Sequence, residues 1–205
     1  MGLDWDWSKK LMQRAWVKSE LLEQPSEYVK PQVSGQKRTR SEDQDDLLVI
    51  GISPKRRITA RRWKGSILVD LREFYESQGE LKPGKKGAML YMGLIGAGIS
   101  LTIPQWQKLT HLHEAITQSI EAITMEGPPV LHEDRIECEE GAIAFALDDK
   151  KRVTIRKFKG MTLVDIREFY DAEGVKKPGK KGIALTSDQW RVVCRYQSEI
   201  DHVIF

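Results

Sequence analysis

Apolar and polar positions fall into short patterns that recur twice along the chain. Residues 47–52 (LLVIGI) and 142–147 (AIAFAL) are apolar runs of strand length, closed by the turn signals Ser53-Pro54 and Asp148-Asp149. Residues 153–158 then alternate with period two: Val153 and Ile155 share one face, Thr154, Arg156 and Phe158 the other. The earlier copy carries Thr59, Arg61 and Trp63 on its polar face. Gly65 and Gly160 mark turns into 67–75 and 162–170. There Val69 and Leu71, or Val164 and Ile166, oppose Asp70 and Arg72, or Asp165 and Arg167. A fourth strand is expected after each Lys-Pro-Gly-Lys-Lys-Gly loop. Each set then passes into a helix. Thr102-Ile103-Pro104-Gln105 and Thr186-Ser187-Asp188-Gln189 both fit the Thr-x-x-Gln box that satisfies the first free helical N–H groups. Trp106, Leu109, Leu112, Ile116, Ile120 and Ile123 recur at helical spacing, as do Trp190, Val193, Ile200 and Ile204. One apolar helix face over one face of a four-stranded sheet predicts an α+β fold, ββββα in tandem.

The recurrence is a sequence repeat. Residues 55–87 and 150–182 align at a constant offset of 95, with 20 of 33 positions identical. The repeat changes the meaning of the net charge of +3, because the first block carries +6 and the second +7, leaving −10 for the rest. Two strongly basic modules in an acidic frame point to a polyanion partner, and nucleic acid is the commonest one. A chain of 205 residues suits one large domain or two small ones. The two cysteines, Cys138 and Cys194, lie far apart without C-x-x-C pairing, which argues against a disulfide scaffold or zinc ribbon and fits a reducing compartment. The first residues, MGLDWD, show no basic region followed by an apolar core, so no secretory signal is expected.

After Gly87 and Gly182 the copies resume at an offset of 84: Ile99-Ser100-Leu101-Thr102 matches Ile183-Ala184-Leu185-Thr186, and Trp106 matches Trp190. The first copy therefore holds an 11-residue insert, 88–98 (AMLYMGLIGAG). The uncharged run 88–107 approaches membrane-spanning length, but its second half is repeat sequence with Pro104 and two glutamines, so a loop grown into a strand is expected. The organisation reads as follows. Residues 1–33 form an N-terminal segment with Trp5, Trp7, Trp16 and a short helix over 8–23; 34–46 is a charged linker expected to be disordered. Module one spans 47–124, an acidic linker 125–140, and module two 141–205. Lys37-Arg38-Thr39-Arg40 reads as a nuclear-import signal.

Candidate enzyme chemistry fails on spacing. Gly79-x-x-x-x-Gly84-Lys85 and Gly174-x-x-x-x-Gly179-Lys180 approach a phosphate loop, but Lys86 and Lys181 stand where a Mg²⁺-holding Ser or Thr is needed, and a strand follows instead of a helix. Gly93, Gly96 and Gly98 have the dinucleotide spacing reversed. His111 and His113 are two apart on a helix and point different ways. Asp70 and Asp165 fit an Arg-orienting role better than a catalytic one. No enzyme, metal or cofactor is expected. What the residues do offer is a basic sheet interleaved with aromatics. Trp63-Lys64-Gly65 and Phe158-Lys159-Gly160 set a ring beside cations, and Lys82-Pro83-Gly84-Lys85-Lys86 and Lys177-Pro178-Gly179-Lys180-Lys181 are stiff cationic loops. Cations that track phosphates and rings that stack unpaired bases are what single strands need. Rings in the core with lysines on a solvated edge is the plainer alternative.

At these residues the chain resembles the transcriptional coactivator positive cofactor four family. The motifs are [aromatic]-Lys-Gly, Leu-x-Asp-[Leu/Ile]-Arg-Glu-[aromatic]-Tyr, Lys-Pro-Gly-Lys-Lys-Gly and Leu-Thr-x-x-Gln-Trp, over about 46–124 and 141–205. The resemblance implies a curved four-stranded antiparallel sheet with a C-terminal helix, used as a dimer, that binds single-stranded DNA. By matching position it implies nucleic-acid contacts from Trp63, Lys64, Arg72, Lys82, Lys85 and Lys86, and from Phe158, Lys159, Arg167, Lys177, Lys180 and Lys181. Arg61 and Arg156, on the polar strand faces, join the candidate set. It also implies a nuclear protein bridging activators and the general RNA polymerase II machinery, with melted duplex or RNA as further ligands. A protein-interaction scaffold with weak DNA affinity is the second functional class.

Three features depart from the family pattern: Ser66 or Met161 follows the glycine where a Lys is frequent, the insert interrupts module one, and two modules share one chain. The two modules are expected to pair with each other as a pseudo-dimer. The linker 125–140 reaches on the order of 50 Å, and a 2:2 assembly is the alternative. Module two, uninterrupted beside Lys180 and Lys181, is expected to bind more tightly than module one, whose insert adjoins Lys85 and Lys86.

Overall fold

The computed structural model describes residues 44–77, 79–84, 98–128 and 130–205. The N-terminal segment, its expected helix, the import signal, Lys85, Lys86 and most of the insert lie outside the described residues. Strands β1 (Gln44–Ser53), β2 (Arg56–Trp63) and β3 (Ser66–Ser77) form an antiparallel meander. Their alternation gives one apolar face, with Ile58, Ala60, Val69 and Leu71 buried. Strand β4 (Glu80–Pro83) folds back on the end of β3, and β5 (Gly98–Thr102) pairs along its middle. Helices α1 (Ile103–His111) and α2 (His113–Met125) follow. The second module adds β6 (Arg135–Ile136), β7 (Ala142–Ala146), β8 (Lys151–Phe158), β9 (Met161–Ala172) and β10 (Val175–Thr186). Helices α3 (Ser187–Arg195) and α4 (Gln197–Ile204) end it. The chain is α+β, and its strands join in one antiparallel sheet ordered β1-β2-β3-β5-β10-β9-β8-β7-β6, with β4 beside β3.

The modules meet where β5 pairs with β10, at Gly98 opposite Gly182. These two glycines match each other at the offset of 84. A Cβ on Gly98 would sit 2.7 Å from the Leu71 carbonyl oxygen, and one on Gly182 would sit 2.9 Å from that of Ile166. Only glycine lets β5 lie this close to β3, and β10 to β9, each within its own module.

Each long helix breaks once, at Leu112 (φ −84°, ψ 0°) and at Tyr196 (φ −99°, ψ 12°), where a single helix was expected. The ψ values near zero bend the axis, and the bend has a packing consequence. Before it, α1 lies on β3 and β5 of its own module; beyond it, α2 lies on β8 and β9 of the other. Likewise α3 lies on β9, β10 and β1, and α4 on β1 and β2. The cross-packing is reciprocal to the side chain. Trp106 Nε1 donates to Asp201 at 2.7 Å and Trp190 Nε1 to Thr117 at 3.2 Å; Arg56 donates to Gln189 at 2.6 Å and Lys151 to Gln105 at 2.8 Å. Both tryptophans are fully buried in one core that draws on both modules.

Three boundaries differ from expectation. Strand β1 begins at Gln44, inside the segment read as linker, because Gln44 and Asp45 pair with Trp63 and Arg62. The acidic linker contains β6, whose Ile136 and Arg135 pair with Ala144 and Phe145. The second Lys-Pro-Gly loop is no separate loop: β10 runs through it, with Pro178 opposite Phe169, Gly182 opposite Arg167 and a bulge between. Among the described residues no helix is long and apolar enough to cross a membrane.

Candidate nucleic-acid interface

The helices cover one face of the sheet; the other carries the side chains that alternate away from the core. In module one these include Arg57, Arg61, Trp63, Asp70, Arg72 and Phe74. Trp63 ends β2 and is 40% exposed. Lys64 follows at φ 48°, a turn conformation that brings its Nζ to 4.9 Å from the Trp63 ring centroid, with the Arg61 guanidinium at 5.9 Å. Module two repeats the arrangement: Lys159, also at φ 48°, stands 5.5 Å from the half-buried ring of Phe158. The Lys-Gly dipeptide after each aromatic is thus a turn that aims a cation across a ring.

The arginines behave differently in the two copies. Arg61 Nε donates to Asp70 Oδ2 at 2.7 Å, while Arg72 stays 3.7 Å from the same oxygen with 37% of its side chain exposed. Asp70 Oδ1 is buried and, among the described residues, has no partner. In module two the roles exchange. Arg167 is buried, donates to both oxygens of Asp165 at 3.0 Å, and gives a third bond to the Gly179 carbonyl at 3.1 Å. Arg156 is left 3.8 Å from Asp165 and 3.4 Å from Glu139. The expected Arg-orienting use of both aspartates is therefore met. Arg167, by contrast, is a strut holding the β10 bulge rather than an open cation.

The remaining candidates lie on β4 and β10. Lys82 is half-buried on β4; Lys177 and Lys180 are exposed on β10; Lys181 is exposed and lies 3.1 Å from Glu168. Lys85 and Lys86 fall outside the described residues. The geometry brings in aromatics that the sequence reading left out. Exposed Tyr75 lies opposite Lys82, and exposed Tyr170 opposite Lys177. Arg57 sits over Phe74 at 4.8 Å, and Arg152 over Phe169 at 4.6 Å. The repeated Arg-Glu-Phe-Tyr was the available signal. Burial pushes the Cys194 thiol up to about 11 and also raises that of Cys138. No grouping of His, Cys, Asp and Glu suited to a metal occurs among the described residues.

Fold and site define a class: an α+β protein with a cation- and ring-bearing sheet face backed by helices. The sequence profile of Transcriptional Coactivator p15 (PC4) matches residues 50–94 and 145–196, one segment in each module. It is similar to the RNA polymerase II transcriptional coactivator KIWI of Arabidopsis thaliana, 39% identical over 80 residues, covering 39% of this chain and 64% of that protein. The RNA polymerase II transcriptional coactivator of Drosophila melanogaster is 42% identical over 66 residues, 32% of this chain and 60% of that one. The chain thus spans less than two thirds of these relatives' length. A crystal structure of a MoSub1–ssDNA complex is matched at 39% identity over 35% of this chain and 87% of that chain, with a TM-score of 0.32.

Proposed function

We propose that this chain is a single-stranded-DNA-binding coactivator of RNA polymerase II transcription, acting in the nucleus, with its two modules paired as a pseudo-dimer. The observation that carries the binding role is the exposed Trp63 ring flanked by Lys64 and Arg61 and repeated as Phe158 with Lys159. A flat ring accepts a base of any sequence, and the adjacent cations meet the phosphates on either side. Arg72 and Lys82 extend the track in module one, where Lys85 and Lys86 are assigned the same role from sequence alone; Arg156, Lys177, Lys180 and Lys181 extend it in module two. Arg167 is assigned to holding the groove. Tyr75 and Tyr170 join as further stacking surfaces. The pseudo-dimer reading is supported by the glycine seam and by reciprocal bonds of Trp106 and Trp190, which complete each module's core with the other's helix. The coactivator role is supported by the profile match in both modules and by the names of the relatives, and implies contacts with activators and the general transcription machinery.

Fluorescence anisotropy with labelled single-stranded DNA, duplex and RNA tests this. Single-stranded DNA should bind most tightly, with log affinity falling against log salt by about 0.7 per neutralised phosphate. Preference for duplex, or no binding, overturns the reading. The second reading, a protein-interaction scaffold, is favoured by one observation: Arg167 and Arg156 are already ion-paired inside the protein. Sedimentation that finds only a dimer at nanomolar concentration would reject the one-chain pairing.

A further inference from the structure

Residues 137–140 (ECEE) lead into module two beside its cationic face. Module one has Asp46 where module two has Gly141. There the strand continues, placing Asp46 opposite Arg61 and Gln44 opposite Trp63. Gly141 instead takes φ 76°, a conformation in which a side chain is strained. The ladder of β7 with β8 begins only at Ala142, opposite Arg156. Between edge strand β6 and Gly141, residues 137–139 line a groove on the helix-free face. Glu139 reaches Arg156 at 3.4 Å. Glu137 and Glu139 line a groove of about 550 Å³ together with Arg152, Arg156, Arg167 and, across it, Lys176. In this groove Ala144 is 1% exposed, whereas Val49, its counterpart in module one, is 44% exposed.

We propose that residues 137–140 are an intramolecular competitor for nucleic acid on module two. Their carboxylates occupy positions that phosphates would take, so module one is the first binding face and module two opens when a strand displaces the acidic strap. This rests on the binding function proposed above. A tethered anion competes at high effective concentration without needing strong contacts. The Glu139 side chain is 62% exposed, so its ion pair is weak enough to yield. Displacement also alters the salt dependence: the phosphate gives up its condensed cation, but the carboxylate freed from its arginine takes one up, so the net release is smaller.

The test uses the full chain carrying Trp63→Ala and Lys64→Ala, so that module two dominates the signal. Glu137→Gln, Glu139→Gln and Glu140→Gln are added together, and a control of equal charge carries Glu114→Gln, Glu121→Gln and Glu199→Gln, all exposed on helices. Anisotropy with labelled oligothymidylate is followed across a salt series. The strap variant should bind roughly 5-fold more tightly than the control, as expected for losing one weak ion pair and the carboxylate charges beside it. Its salt slope should steepen by about 0.7. A gain no larger than the control's, or an unchanged slope, overturns the proposal. Absence of binding by the unsubstituted chain overturns the binding function itself and this inference with it.

Discussion

Modules one and two place the same residue types on the same sheet face and use them differently. Asp70 and Asp165 both stand two residues before an arginine, yet Asp70 takes its close bond from Arg61 on the neighbouring strand, and Asp165 from Arg167 on its own. The consequence is a trade of roles. Module one keeps Arg72 at the surface and buries the partner of Arg61; module two locks Arg167 beneath the β10 bulge and leaves Arg156 to the acidic strap. A charged residue's role is set by which neighbour offers the shorter bond, and local sequence identity does not determine that neighbour. The helical faces are the opposite case, where differing residues such as Thr117 and Asp201 perform one task.

The largest expected effects test whether the modules are equal in the core. Trp106→Ala and Trp190→Ala should each cost about 3–5 kcal/mol, as for other large buried side chains. Urea unfolding should remain one cooperative transition in both variants, because each tryptophan completes a core shared by both modules. Two separable transitions would break the shared-core account. A slightly smaller effect should separate the faces. Asp165→Asn strands a buried guanidinium and should cost about 3 kcal/mol or more. Asp70→Asn should cost roughly 1–3 kcal/mol, since Arg72 already faces water and only the Arg61 bond is lost. Equal losses would mean that the two networks do not differ in solution.

Much of this was legible in the sequence. Period-two alternation marked β2, β3, β8 and β9, and the Thr-x-x-Gln boxes marked both helix starts, which the structure reproduces. The breaks at Leu112 and Tyr196 were not legible, since both residues continue or tolerate a helical pattern and the bend answers to packing on the other module. Strand β6 has two residues, too few for any periodicity. The ring-and-lysine turns were readable because Lys-Gly recurs after an aromatic. The burial of Arg167 was not, because Asp-[Leu/Ile]-Arg-Glu reads alike in both copies. Ranking module two ahead of module one followed from its uninterrupted loop; the acidic strap proposed above gives the opposite order, and the titration below decides between them.

Smaller effects sharpen the comparison further. Arg72→Ala should weaken single-strand binding and flatten the salt slope by about 0.7 with little change in urea midpoint. Arg167→Ala should do the reverse, lowering the midpoint by a measurable step and changing the slope little. The smallest effect concerns the seam. Asp148, where module one has Ser53, is opposed by burial, yet the hydrogen bond from Gln105 and the backbone N–H groups of Lys150 and Lys151 hold its carboxyl below the ordinary 3.8. A depressed folded value contributes stability above 3.8 that is lost as pH falls through and below it. Asp148→Asn should therefore lower stability at neutral pH by about 0.5–1.5 kcal/mol and flatten the acid limb of the stability profile.

The central claim is that the helix-free face binds single strands and that module one leads. Anisotropy titration of the full chain with labelled single-stranded DNA, comparing Trp63→Ala plus Lys64→Ala with Phe158→Ala plus Lys159→Ala, tests it most directly. The module-one pair should lose roughly tenfold in affinity, within the range for removing one stacked base and one phosphate contact. The module-two pair should lose clearly less, because its groove is already occupied by the strap. A larger loss from the module-two pair, or no loss from either, contradicts the account.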